Sequence, residues 1–272
     1  MTNSSSGSDA FISGYLGGGR LPVSSPGRIG TTRHSLLAAV LCASVLLSGA
    51  TLNAQEEGSC SPALYFLSRG DYGRALDSAR TEDDGTPAAR LNVQGVAEMM
   101  NGRAGEAAAK LRASLAADPS YTPARFNLGV ALLRQGLFQE AAAELERVYA
   151  SGGNLAGNAA YHRGLTADGS GDLPGAVEWF EKAIAADSSL SDAHLQLGYI
   201  YEKTGQLQLA GRSYRRYLEH HPESPAGLLR FGIAAQRAGH IETARRYLRL
   251  VTDVAPHSPE AVEARKFLVI WD

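Results

Sequence analysis

The chain has 272 residues, of which 44% are hydrophobic and 20% charged, and its formal net charge is -2. That composition suits one or two globular domains and excludes a general electrostatic affinity for nucleic acid or anionic lipid. The near-zero total hides an asymmetry: residues 55–190 hold 12 basic and 18 acidic side chains, residues 191–272 hold 11 and 9.

Residues 1–35 are rich in Ser and Gly, and Arg20, Arg28 and Arg33 face a single acid, Asp9. Such a segment has too little apolar surface to order itself and reads as a disordered extended N-region. An uncharged apolar run, 36–47, follows Arg33-His34 and precedes the small and polar residues 48–55. Basic flank, short apolar core and small residue before a polar stretch are the parts of a secretory signal, so 36–54 is expected to direct export, with cleavage after Ala54. An uncleaved anchor is the alternative, because 36–54 carries no charge over a length near the lower limit for crossing a bilayer. The 35 residues ahead of the apolar run are long for a signal's basic region, and initiation nearer Arg28 would account for them. Cleavage removes Cys42 and leaves Cys60 alone, so no internal disulfide is expected and packing must hold the fold. Cys60 is then either inert or paired with another chain.

From residue 88 onward three small residues recur together. Gly95, Gly129, Gly164, Gly198 and Gly232 form one column, and Gly102, Gly136, Gly171, Gly205 and Gly239 a second. Ala107, Ala141, Ala176, Ala210 and Ala244 form the third, and every column steps by 34, 35, 34 and 34. Three columns with one step pattern define a repeat, and the extra residue falls in the loop 151–154. The first Gly falls within a helix, where it costs about 1 kcal/mol against Ala, so it implies a close contact that excludes a side chain. The second suits the left-handed position that ends a helix, and the Ala lets two helix axes approach. Pro119, Pro222 and Pro256 fall twelve residues after the Ala, where a second helix should stop.

The ends follow the same logic. In 55–87, Gly70, Tyr72 and Ala75 keep the spacing of the repeats, so this stretch is expected to be a degenerate hairpin followed by the acidic linker 81–87. Residues 259–272 are expected to form a lone amphipathic helix with Val262, Phe267, Leu268 and Ile270 toward the last repeat, covering its apolar face.

This pattern resembles the tetratricopeptide repeat, a helix–turn–helix of 34 residues with small residues at its eighth and twentieth positions and Pro near the thirty-second. The resemblance covers five units, 88–121, 122–156, 157–190, 191–224 and 225–258, and the third is the weakest because Arg163 stands before Gly164. It implies an all-α fold, a right-handed α-solenoid of helical hairpins with a C-terminal capping helix.

Chemistry is not expected. The chain has no paired His with an intervening Glu, no Cys pair, no phosphate-cradling Gly loop and no nucleophile-elbow Ser, so no catalytic residue, cofactor or metal site is proposed. His220-His221 reads as a helix cap, and His162 with His194, lacking a third ligand, makes a poor zinc site.

The resemblance instead directs attention to the concave face lined by first helices. Its groove positions correspond here to Asn92 and Met99; Phe126, Leu133 and Arg134; Tyr161 and Leu165; Leu195, Tyr199 and Glu202; and Leu229, Gln236 and Arg237. The Lys and Asn with which family members clamp a C-terminal carboxylate are missing, since those positions hold Asn92 and Val96, Phe126 and Val130, and apolar or aromatic residues thereafter. An apolar and aromatic groove favours a partner peptide or amphipathic helix, with Phe126, Tyr161 and Tyr199 as anchors. The expected function is a non-catalytic protein-binding scaffold in the cell envelope or secreted, with no nucleic acid partner and no membrane contact beyond an uncleaved anchor. The alternative is a structural or oligomerising subunit that uses its C-terminal helix or the arginines of its second helices, among them Arg212, Arg215, Arg216, Arg245, Arg246 and Arg249.

Overall fold

The structure, a computed structural model, describes residues 66, 70–81 and 86–269. The uncharged run 36–54 expected to direct export, with Cys42 and Ala54, and Cys60, most of the acidic linker, Ile270 and Trp271 lie outside the described residues. Among the described residues all regular structure is helical, in twelve helices that divide into two compact units, 1–170 and 171–272.

The first unit holds α1 (Tyr72–Thr81), α2 (Pro87–Met100), α3 (Ala104–Ala117), α4 (Thr122–Arg134), α5 (Phe138–Ser151) and α6 (Ala156–Ser170). The second holds α7 (Leu173–Ala186), α8 (Ser191–Lys203), α9 (Leu207–His220), α10 (Pro225–Arg237), α11 (Ile241–Val254) and α12 (Pro259–Leu268). Within each unit, helices adjacent in sequence pack as antiparallel neighbours.

The starts and stops follow local chemistry. Thr86 accepts a hydrogen bond from the Ala89 N–H at 3.2 Å, and Ser258 accepts one from Ala261 at 3.0 Å, each capping a helix that has Pro in its first turn. Helices α3, α9 and α11 end two residues before Pro119, Pro222 and Pro256, as the clash of a proline ring with a preceding helical turn requires. Glycines of the second column sit at the ends of first helices with positive φ, Gly136 at 74° and Gly239 at 84°.

The first glycine column is where the helices of a hairpin lock. A Cβ added to Gly95 or Gly129 would stand 2.6 Å from Cγ of Leu111 or Leu145, and one at Gly232 would stand 2.9 Å from Cγ of Leu248. At Gly198 the obstructing group is the Tyr214 ring. Each large side chain comes from the second helix of the same hairpin, and Leu111, Leu145, Tyr214 and Leu248 are fully buried. The third column sits beside them, with Ala107, Ala141, Ala210 and Ala244 wholly buried, so that a short side chain on one helix and none on the other bring the axes together.

Polar contacts tie one hairpin to the next. In the first unit, Gln94 donates to the Ala79 carbonyl at 3.1 Å and Gln135 to the Ala104 carbonyl at 3.0 Å. Arg112 pairs with Glu140 at 2.9 Å, whereas the Arg125–Glu144 pair, also at 2.9 Å, braces the two helices of the α4–α5 hairpin. At the C-terminus the structure departs from expectation. Helix α12 buries Ala261 and Ala264, whereas Val262 is 51% exposed, so the inward face is rotated toward the small residues. Phe267 and Leu268 do pack against the core, at the helix's end.

Gly129→Ala is therefore expected to destabilise the protein by about 1–3 kcal/mol through overpacking against Leu145. Gly105→Ala, in α3 with open space around it, is expected to be neutral or to add up to about 1 kcal/mol. Urea unfolding of the two variants checks both; equal effects would contradict the lock.

Candidate protein-binding surfaces

First helices of consecutive hairpins lie side by side within each unit, so the side chains on their free face define the candidate surface. In the first unit that face is largely closed. Asn92, Met99 and Phe126, expected to line a groove, are 0% exposed, and they offer no surface to a partner in this structure. The reason is geometric: the helix face that lines a groove also contains the residues that pack onto the next first helix. Leu133, Arg134, Tyr161 and Leu165 remain half-buried. Arg134 donates to the Met99 carbonyl at 3.0 Å, which ties its guanidinium to α2, and burial lowers its pKa.

Beneath this face runs a row of polar side chains, one per first helix, with Asn92 and Asn127 buried and His162 half-buried. Asn127 donates from Nδ2 to Oδ1 of Asn92 at 2.9 Å. The remaining polar atoms of that pair, Nδ2 of Asn92 and Oδ1 of Asn127, and Nδ1 of His162 have no hydrogen-bond partner among the described residues. The His162 ring meets Phe126 and Tyr161 edge-on, each with centroids 5.4 Å apart. Burial, with the nearby Arg134 guanidinium, pushes its imidazole from the ordinary 6.5 down to about 4.

The second unit presents a charged cluster where an apolar groove was expected. Leu195 and Leu229 are 3% exposed and belong to the core. Between them, Glu202 accepts from the Tyr214 hydroxyl at 2.9 Å and pairs with Arg237 at 2.9 Å. The Arg230 guanidinium lies 5.3 Å from the centre of the Tyr199 ring, and Tyr199 meets the Tyr214 ring edge-on at 5.8 Å. Burial disfavours the Arg230 charge, yet Tyr199, Glu202, Tyr214 and Glu263 together shift its pKa upward. Burial and the adjoining Glu202 raise the Tyr214 phenol well above its ordinary value, so it stays a donor. Gln236 is half-buried beside this cluster and Arg237 is exposed.

Sequence reading missed Arg230, which is displaced by one helical position from the positions carried over, and Tyr214, which lies on a second helix. The remaining histidines find ordinary roles. His221 follows α9, and its Nε2 lies 2.7 Å from the Ser191 hydroxyl. His194 is partly buried, and its pKa is lowered first by burial and then by Arg216 and His220. No group of three His, Cys, Asp or Glu able to hold a metal occurs among the described residues. No described helix is long and apolar enough to cross a membrane.

Stacked helical hairpins with a free first-helix face define the class: an all-α repeat protein of the α-solenoid kind. The tetratricopeptide repeat model matches residues 92–156, 126–191 and 163–225, and the chain is a tetratricopeptide repeat protein. One curated relative, the Photosystem I assembly protein Ycf3 of Synechococcus sp. (strain CC9605), is 31% identical over 84 residues. That match spans 30% of this chain and 49% of the relative, about half its length. Among solved structures, pilF of Pseudomonas aeruginosa is similar with a TM-score of 0.64, 20% identity, and coverage of 84% of this chain and 98% of its own. PilW, a type IV pilus biogenesis factor, is similar with a TM-score of 0.67, 20% identity, and coverage of 73% and 92%. At such identity these two likenesses show the fold. Repeats of this family generally form non-catalytic scaffolds for protein–protein interaction.

His162 supplies a pH test of the buried row. Between pH 6.5 and about 4 the unfolded chain binds a proton at this residue and the folded chain does not, so stability falls as pH falls through that window. The loss from this group approaches roughly 3 kcal/mol and is absent above the window. Urea unfolding at successive pH values should show a steeper decline for the native chain than for His162→Leu; parallel curves would contradict the burial.

Proposed function

We propose that this chain is an exported, non-catalytic adaptor that grips a partner protein on the first-helix faces of its repeats. The observation that carries the reading is the Tyr199, Glu202, Arg230 and Arg237 cluster. It places an aromatic face, a carboxylate and two guanidiniums on neighbouring first helices, all partly or wholly accessible. Such a set recognises a peptide or amphipathic helix by stacking and by charge, and aromatic and Arg side chains dominate binding energy at protein interfaces. Tyr161 and Leu165 of the first unit provide a second, more apolar contact. Each unit's first-helix face is thus proposed as a contact of its own, anchored by Tyr161 in the first unit and by Tyr199 in the second.

Export rests on the 36–54 run and its flanks. The similar fold of a type IV pilus biogenesis factor supports a place in an assembly of the cell envelope. The second reading, a structural or oligomerising subunit, is favoured by the outer face of the C-terminal helices, where Leu250, Val254, Val262 and Val269 are 38%, 37%, 51% and 75% exposed.

Affinity capture with the full chain from its native envelope, compared with the Tyr161→Ala/Tyr199→Ala variant, tests the adaptor. Recovery of the partner is expected to fall about tenfold or more while helicity by circular dichroism is unchanged. Equal recovery would overturn the assignment of the groove. Light scattering on the same preparations separates the second reading, which requires a concentration-dependent oligomer.

A further inference from the structure

A second feature of the 171–272 unit lies on the other side of α10, away from Leu229 and Gln236. Here α9, α10 and the start of α11 enclose an open cavity of about 390 Å³. Its floor is the edge of the Phe231 ring, which is 5% exposed and held against Tyr247 with centroids 4.5 Å apart, and the buried Ala234 and Ala235 extend it. Its rim is basic, formed by Arg212 and Arg215 one turn apart on α9.

Two sequence choices make this cavity particular to its repeat. Gly211 takes the place that Ala108, Ala142, Val177 and Arg245 hold in the other units, so the rim has a gap above the ring. Phe231 takes the place of Gln94, Leu128, Arg163 and Leu197, so the floor is aromatic. The gap is not forced by packing. A Cβ at Gly211 would meet Phe231 at 3.7 Å, an ordinary contact.

The charges at the rim are uncompensated. No Asp or Glu lines the cavity, and among the described residues no carboxylate pairs with Arg212 or Arg215. Arg215 instead leans over Phe231, its Cζ 5.9 Å from the ring centre. Neighbouring arginines differ: Arg216 pairs with Glu219 at 3.0 Å and Arg245 with Glu242 at 3.5 Å. The adjoining cavity of about 380 Å³ shares Arg212 with this one and carries a carboxylate, Glu181, that does not pair with it.

We infer that the α9–α11 cavity is a docking site for an acidic peptide segment of a partner protein, which seats one apolar side chain on Phe231 and sets carboxylates against Arg212 and Arg215. Charge complementarity selects the carboxylates, because planar guanidiniums receive them in a fork and the site supplies none of its own. The aromatic floor selects a peptide over a bare polyanion, because a nucleic acid backbone offers no apolar side chain to bury. The site is separate from the first-helix groove and does not depend on it.

Fluorescence anisotropy with the full chain and a labelled peptide in which Leu and Phe are flanked by Glu and Asp tests the site. Saturable binding is expected, weakened about tenfold or more by Arg212→Ala/Arg215→Ala and similarly by Gly211→Leu, which fills the gap in a helix that tolerates Leu well. Arg246→Ala, which removes an equal charge beyond the cavity, should change affinity less than about twofold. A peptide with Ser in place of Leu and Phe should bind about tenfold more weakly, and rising salt should weaken the acidic peptide. Absence of saturable binding, equal loss with Arg246→Ala, equal binding of the Ser-substituted peptide, or displacement of the peptide by a single-stranded oligonucleotide at lower concentration would each overturn the inference.

Discussion

The fold depends on one contact made again and again: a glycine in a first helix against the large side chain that its own second helix lays over it. Gly95 with Leu111, Gly129 with Leu145, Gly198 with Tyr214 and Gly232 with Leu248 are the same joint in different repeats. No side chain other than hydrogen fits at the glycine, and the covering residue is buried completely, so the joint joins close axis approach to full burial of a large group. Each glycine costs helix propensity of about 1 kcal/mol, which burial of a Leu-sized group, worth about 1.5–3 kcal/mol, offsets. A hairpin so made still leaves apolar surface on its flanks, and stacking against its neighbours covers it.

Binding surfaces are what that stacking leaves over. Once first helices lie side by side, their most apolar positions are consumed between them, as with Leu195, Leu229 and Phe126. The side chains still available are longer and polar-tipped: Tyr161, Tyr199, Arg230, Arg237. Joint and surface meet at Tyr214, whose ring fills the space over Gly198 while its hydroxyl holds Glu202, the carboxylate that also receives Arg237. A tyrosine where three other repeats use leucine thus extends the packing contact into the candidate site. The same economy of variation operates on the far side of α10, where Gly211 and Phe231 turn an ordinary inter-helix seam into a cavity with a basic rim.

Much of the fold was legible because its constraint is periodic. A glycine that must recur every repeat leaves a column that composition cannot imitate, and left-handed glycines such as Gly136 mark where first helices end. The candidate site was legible only in part. Asn92, Met99 and Phe126 share a helix face with groove residues, and the sequence spacing alone does not tell which of them face a partner and which face the next helix. Charge pairing was not legible either, since Glu202 and Arg237 are a full repeat apart in the chain and meet only when two first helices are set side by side. Val262 failed for a simpler reason: in α12 the close approach selects Ala261 and Ala264, and hydrophobicity alone points to the wrong face.

A double-mutant cycle on Gly129 and Leu145 tests the central joint most directly. If the glycine is required because Leu145 occupies its space, Gly129→Ala measured by urea unfolding is destabilising in the native background and becomes neutral or stabilising in the Leu145→Ala background. A coupling of at least about 1 kcal/mol in that direction is the result this account predicts. Additive effects, with the alanine costing the same whether or not Leu145 is present, would contradict it.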